Sequence, residues 1–280
     1  MFQLTHASKT LDLSAPVVMG IVNVTPDSFS DGGDYAQFEQ ACRHVDNMVK
    51  QGALIIDVGG ESTRPGATEV SVEQELERVI PIIEYTAKTH NVWISIDTSK
   101  ATVMEAAVNA GAHLINDVRA LQEPGALEVA AKLNVPVCLM HMQGQPRTMQ
   151  DAPHYDDVIA DINQFFEQRV SACVAEGIKR ENIVLDPGFG FGKSLAHNYE
   201  LLNRISEFSV FNLPILAGLS RKSMFGQLLG REVSQRLSAT LAGNMLAIQS
   251  GAKIVRVHDV QETCDMIAVL DAAKNFKTLA

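Results

Sequence analysis

Two hydrophobic periods alternate along the chain. Short apolar runs with little polar interruption occur at Val17–Val24, Leu54–Val58, Val92–Asp97, His113–Val118, Pro136–His141, Ile183–Asp186, Pro214–Leu219 and Ile254–His258. Such runs read as strands buried on both faces, as in a parallel sheet. Between them apolar residues recur every three or four positions, the spacing of a helix that covers a sheet. Phe38, Cys42, Val45 and Val49 mark the first such face, and Gly52 stands where a helix-terminating glycine belongs. Ser71 and Gln74 have capping-box spacing ahead of Leu76, Val79, Ile80 and Ile83, and Pro81 is expected to kink or split that helix. Helices follow at Ala101–Ala110, Pro124–Leu133, along Ile159, Ile162, Phe166, Val170 and Cys173 to Gly177, near Asn198–Ile205, within Ser223–Ser250, and at Val260–Phe276. Before all of these, Phe2–Leu13 alternates around a polar turn at His6–Lys9, which predicts a β-hairpin plugging one end of the core.

About eight strands, each followed by a helix, predict a (β/α)8 TIM barrel with a short N-terminal β-hairpin, and residues 1–280 read as a single domain. A weak internal echo supports the repeat: GALIID from Gly52, GAHLIND from Gly111 and GAKIVR from Gly251 each give a helix stop, a small residue, a buried strand and a polar end. A doubly wound open sheet is the alternative, but the glycine fingerprint of its nucleotide-binding members is missing.

Composition narrows the class. Hydrophobic residues make up 46% of the 280 and charged residues 20%, enough to bury a large core. The net charge of −10 argues against a nucleic-acid partner. Four separated cysteines (Cys42, Cys138, Cys173 and Cys264) without a CxxC pair read as reduced thiols of a cytoplasmic protein. The N-terminus lacks a secretory pattern and no apolar run is long enough to span a bilayer, so no membrane association is expected.

Each buried run ends in a polar group, and in a TIM barrel those ends share one rim. The rim then holds Asn23, the loops Thr25–Gly33 and Glu61–Gly66, Asp97, Asn116, Asp117, His141, Asp186, the run Ser220 to Ser223, Arg256 and His258. A single such acid is as readily a helix cap as a functional group. Arg64, Lys222, Arg256 and His258 form a cationic kit suited to phosphate; for Arg64 or Arg256, a pair with Glu61 or Asp259 is the structural alternative. Asp97, Asn116 and Asp186 suit a flat heterocycle with an amidine-like edge, such as a guanine or pterin. The spacing offers no all-carboxylate metal cage. His141 and Met140 read as packing residues. PGFGFGKS, from Pro187 to Ser194, resembles a phosphate loop, but a P-loop needs glycine at Pro187 and a Rossmann fingerprint needs glycine at Lys193. Its glycines read instead as a tight loop or a close approach to ligand, with Phe189 or Phe191 packed nearby.

These residues fall in longer motifs: NVTPDSFSDGG (23–33), DVGGESTRPG (57–66), IDT (96–98), IND (115–117), LDPGFGFGK (185–193), SRKS (220–223) and RVHD (256–259). Over nearly its whole length the chain thereby resembles the bacterial dihydropteroate synthases, which are pterin-binding TIM barrels. The resemblance implies condensation of 6-hydroxymethyl-7,8-dihydropterin diphosphate with 4-aminobenzoate, giving 7,8-dihydropteroate and diphosphate, with SN1-like departure of Mg²⁺-bound diphosphate. It implies that Asp97, Asn116, Asp186 and Lys222 hold the pterin with Arg256 stacked on it, and that Asp97, Asp186, Lys222 and Arg256 serve catalysis. Asn23 would bind Mg²⁺. Asn23, Ser62, Thr63, Arg64, Arg256 and His258 would serve the diphosphate; Thr63, Pro65, Phe191, Ser220 and Lys222 would border the aminobenzoate pocket where sulfonamides act. A homodimer through late helices is implied too. Two other readings are a pterin-binding methyltransferase of the cobalamin-dependent type and a non-catalytic pterin-binding paralogue.

Overall fold

The structure, a computed structural model, describes residues 2–24, 34–62, 69–144, 149 and 153–278. The hairpin consists of β1 (Gln3–His6) and β2 (Lys9–Asp12), paired antiparallel. The apolar runs become parallel strands: β3 (Val17–Asn23), β4 (Ile55–Gly59), β5 (Trp93–Asp97), β6 (Leu114–Asp117), β7 (Val137–Met140), β8 (Ile183–Asp186), β9 (Leu216–Ala217) and β10 (Ile254–Val257). Their spatial order is β8-β7-β6-β5-β4-β3-β10-β9, and a parallel bridge between Leu185 and Ile215 joins β8 to β9, bringing the sheet round into a nearly closed barrel.

Helices α1 (Asp34–Lys50), α2 (Val72–Thr89), α3 (Ala101–Asn109), α4 (Ala126–Leu133), α5 (Val158–Ala175), α6 (Leu195–Arg204), α7 (Ser223–Leu229), α8 (Leu237–Gln249) and α9 (Val260–Lys274) form the outer layer. The predicted capping box is present at the start of α2, where the Gln74 amide N–H reaches Ser71 Oγ at 3.2 Å. That helix is not split: it runs through Pro81, which lies on its exposed face, where water can serve the carbonyl left without a donor. The glycines of the internal echo all adopt left-handed backbone, with φ of 105° at Gly52, 118° at Gly111 and 111° at Gly251, so each turns its helix into the next strand without a Cβ penalty.

Sequence pattern and structure part in three places. Residues Ile205–Phe211 continue α6 as a 3-10 helix, and α6 itself begins earlier than expected, capped by Ser194. The helical stretch from Ser223 divides at Gly230 into α7 and α8, with a 3-10 turn at Val233–Gln235 between them. The strand expected over Pro214–Leu219 shrinks to Leu216–Ala217.

Strand side chains alternate between two cores. Outward residues such as Val22, Ile56, Ile94, Ile115, Leu139 and Leu185 meet the helices. Inward residues Met19, Ile55, Trp93, Leu114, Cys138, Val184, Leu216 and Ile254 join Leu4, Leu11 and Leu13 of the hairpin region. The hairpin is therefore the predicted plug, closing the end of the barrel where the strands begin. Burying each of these leucines contributes about 1.5–3 kcal/mol. The Asn182 side chain ties the plug down, accepting from Thr5 N–H and donating to Thr5 O, both at 3.0 Å.

Candidate active site

Followed toward its C-terminal end, the inward face turns from apolar to polar on most strands, β7 and β9 excepted. Ile55 gives way to Asp57, Trp93 to Ser95 and Asp97, Leu114 to Asn116, Val184 to Asp186, and Ile254 to Arg256. Register aligns part of this ring: Asn23 pairs with Gly59, Gly59 with Asp97, and Asp97 with Asn116. The period-2 rule thus aims side chains from β3, β4, β5, β6, β8 and β10 at one space inside the mouth.

Arg256 is the hub. Its Nε donates to Asp57 Oδ2 at 2.5 Å and its Nη2 to Asp97 Oδ2 at 2.6 Å. The same Asp57 oxygen accepts from Asn116 Nδ2 at 3.2 Å. Charge-assisted bonds of this kind contribute roughly 1.5–3 kcal/mol each. Burial disfavours the guanidinium's charge, but Asp57 and Asp97 more than offset it and hold the group cationic. Burial pushes the Asp97 carboxyl upward, opposed by Arg256 and reinforced by Asp57, Asp117 and Glu75. Asp186 is also pushed up by burial, against its bond from Gly188 N–H at 2.8 Å and the charges of Lys222, Arg256 and Lys193. Burial lowers Lys222 to about 8, although Asp186 and Asp97 favour its cation. Its Nζ stands 4.1 Å from the centre of the Phe191 ring, a cation–π contact.

Ser220 and His258 form a second unit. The Ser220 hydroxyl oxygen accepts the His258 backbone N–H at 3.1 Å and lies 2.8 Å from His258 Nδ1. This fixes the ring at the end of β10, beside Arg256.

The glycine-rich segment after β8 is held from below by Lys193, buried at 3% exposure. Its Nζ donates to Gly188 O at 2.9 Å, Phe191 O at 3.1 Å and His141 Nδ1 at 3.0 Å. These bonds, with His141 O a further acceptor at 3.4 Å, lock the loop that carries Phe191. Burial lowers Lys193 to about 7 and His141 to about 2, so the imidazole is the acceptor. Gly188 is compelled by close approach: at φ 71° a Cβ there would run into His141 O.

Residues 19–258 match the model of the pterin-binding enzyme family. The dihydropteroate synthase of Escherichia coli K12 is 58% identical over 96% of this chain and 95% of its own length. That of Haemophilus influenzae is 54% identical over 96% and 98%. The chain belongs to the dihydropteroate synthase family of pterin-binding enzymes. Solved structures agree. The Yersinia pestis dihydropteroate synthase in a sulfonamide drug complex is 56% identical with TM-score 0.93, covering 98% of this chain and 99% of that one. The Xanthomonas albilineans dihydropteroate synthase with 4-aminobenzoic acid is 50% identical with TM-score 0.93, covering 98% of both.

In this dihydropteroate synthase-family chain the structure brings together Asp97, Asn116, Asp186, Lys222, Arg256 and Phe191, with Ser220 and His258 adjacent. Asn23 ends β3, partly exposed, on the inward face of the same register row. Ser62 lies just after β4. Thr63, Arg64 and Pro65, and the first loop from Thr25 to Gly33, lie outside the described residues. Arg256 pairs with Asp57 and Asp97, while Asp259 pairs with Arg221. Asp117 serves structure: it points out of the barrel and accepts from Ser99 Oγ and from the Arg119 and Leu121 backbone N–H groups. His141 packs against Phe165 and Tyr155, as expected of a packing residue.

Two residues escaped the sequence-based site. Asp57 was visible as one more strand-end acid, but nothing in its own motif shows that it meets an arginine 199 positions away. In sequence Lys193 reads only as part of a run like a phosphate loop; its real signal is a lysine closing a glycine-rich turn whose carbonyls need a donor.

Proposed function

We propose that the chain condenses 6-hydroxymethyl-7,8-dihydropterin diphosphate with 4-aminobenzoate, giving 7,8-dihydropteroate and diphosphate, and that it does so as one barrel domain, in a homodimer, in the cytoplasm. The observation that carries this reading is the convergence of Asp97, Asn116, Asp186, Lys222 and Arg256 inside one barrel mouth. Carboxylate and amide oxygens suit the N–H-rich edge of a pterin, and Lys222 suits its carbonyl. The relatives solved with 4-aminobenzoic acid and with a sulfonamide support a neighbouring pocket for the aryl amine, bordered by Phe191, Ser220 and Lys222; the family resemblance assigns Thr63 and Pro65 to the same substrate.

Among the described residues no group of three or more His, Cys, Asp or Glu side chains could hold a metal ion. Mg²⁺ needs no such cage, because it keeps water and takes substrate phosphate oxygens alongside one or two protein donors. The Asn23 carbonyl oxygen, at the end of β3 on the face shared with Asp97, fits that role. When bound, Mg²⁺ supplies charge neutralisation to the leaving diphosphate. Arg64, Arg256 and His258, with Ser62 and Thr63, provide the remaining cations and donors for the diphosphate.

The residues then act in an SN1-like order. The bond between the methylene carbon and the bridging oxygen breaks, and its electron pair leaves with diphosphate. Positive charge left on the methylene spreads into the dihydropterin ring, where Asp97 and Asp186 offset it. The arylamine lone pair bonds to the carbon, and the nitrogen gives up one proton to solvent. An aryl amine is a weak nucleophile, so lowering the cost of departure matters more than activating the amine. Phe191 and Lys222 orient the second substrate against the cation.

Mixing the pterin diphosphate, 4-aminobenzoate, Mg²⁺ and the protein should release one diphosphate per dihydropteroate formed. Methyl transfer to a corrinoid without diphosphate release would replace this reading with the methyltransferase one. Pterin binding with no turnover would mark a non-catalytic paralogue.

A further inference from the structure

Asp57 contacts two residues of the pterin site, and the consequence for Asn116 is chemical. A carboxylate oxygen only accepts, so the Asn116 amide must turn its NH2 toward Asp57 Oδ2, 3.2 Å away. Its Oδ1 therefore points the other way, and no hydrogen bond occupies it among the described residues. Asp57 is itself held in place: its side chain is fully buried, and the same Oδ2 accepts from Arg256 Nε, while its Oδ1 is buried with no hydrogen-bond partner among the described residues. With Asp97 and Asp186, each of which has one carboxylate oxygen without a hydrogen bond among the described residues, the site presents three acceptors to its ligand. A wall of acceptors matches N–H groups and penalises lone pairs.

We propose that Asp57 is a specificity-determining positioning residue, which fixes the Asn116 amide oxygen toward the ligand and thereby selects the N8–H of a 7,8-dihydropterin over the bare N8 of a fully oxidised pterin. This rests on the pterin reading of the site. A dihydropterin pairs its N8–H with Asn116 Oδ1. An oxidised pterin sets a nitrogen lone pair against that oxygen, and the amide cannot rotate without placing Oδ1 against Asp57.

The test is calorimetric binding of 6-hydroxymethyl-7,8-dihydropterin and of oxidised 6-hydroxymethylpterin to the full chain. The wild type should prefer the reduced ligand by roughly ten- to a hundred-fold. Asp57→Asn, which lets Asn116 rotate because the new amide can both donate and accept, should bring that ratio to within a few-fold of unity. Asn116→Ala should lower the ratio in the same way and serves if Asp57→Asn does not fold. A wild type indifferent to oxidation state overturns the proposal. So does a set of variants that lose affinity for both ligands by one common factor, since that is the signature of a merely structural acid. A wild type that binds neither pterin sinks the pterin reading instead.

Discussion

A lysine set within a barrel mouth is under strain of charge, and Lys222 shows it. Its burial lowers the ammonium from 10.5 to about 8. Below that pH the native state carries the full cost of a buried cation; between about 8 and 10.5 it releases a proton the unfolded chain keeps, and the cost fades as pH rises. Function runs in the opposite sense, because the cation is the useful form. We expect kcat/KM to fall above about pH 8, and the falling limb to vanish in Lys222→Arg, whose guanidinium stays charged. A flat wild-type profile through pH 9 would contradict this. Lys222→Ala should lower kcat/KM by about 10²–10³ while thermal unfolding shows no loss of stability, since a desolvated charge is removed. The placement of the mouth residues was legible in part. Strand-end positions placed Asp97, Asn116 and Asp186 at the mouth because an apolar run that stops on a polar residue can be seen locally. The Arg256 clamp on Asp57 was not legible, because two partners brought together by barrel curvature leave no trace in either one's neighbourhood.

At the scale of elements, the segment after β8 does the positioning. Its glycines allow the backbone to pass beneath His141, and Lys193 pins two of its carbonyls to the His141 ring. Gly188→Ala should cost about 2–4 kcal/mol in denaturant unfolding, through both its φ and the clash with His141 O. Lys193→Met should leave pterin affinity nearly intact but raise the KM for 4-aminobenzoate, since it frees Phe191; equal losses for both substrates would contradict that role. The period of hydrophobicity revealed most elements because buried strands and covered helices differ in spacing. It failed where one pattern spans a break. Leu228, Leu229, Val233 and Leu237 continue an apolar rhythm across Gly230, whose φ of 64° ends α7. Likewise β9 is only two residues long, yet Pro214 O still accepts from Leu185 N–H at 3.0 Å and helps close the barrel.

The whole molecule is polarised: hairpin plug at one end, polar mouth at the other. Among the described residues no helix is long and apolar enough to cross a membrane. Exposed Leu228, Leu229, Val233, Leu246 and Val269 fall on or between α7, α8 and α9, which supports the dimer proposed through this side. Light scattering should give twice the chain mass, and Leu229→Glu should reduce it; a monomeric wild type would refute the dimer. Asn23→Ala should weaken the Mg²⁺ requirement of turnover, and an unchanged metal dependence would remove Asn23 as a ligand. The claim beneath all of these is that groups from six strands meet around one bicyclic ring. A crystal structure with 6-hydroxymethyl-7,8-dihydropterin diphosphate bound measures that directly. The ring should lie within hydrogen-bonding distance of Asp97, Asn116, Asp186 and Lys222 together, with the diphosphate toward Asn23 and His258; a ring bound elsewhere, or touching the acids but not Lys222, would contradict it.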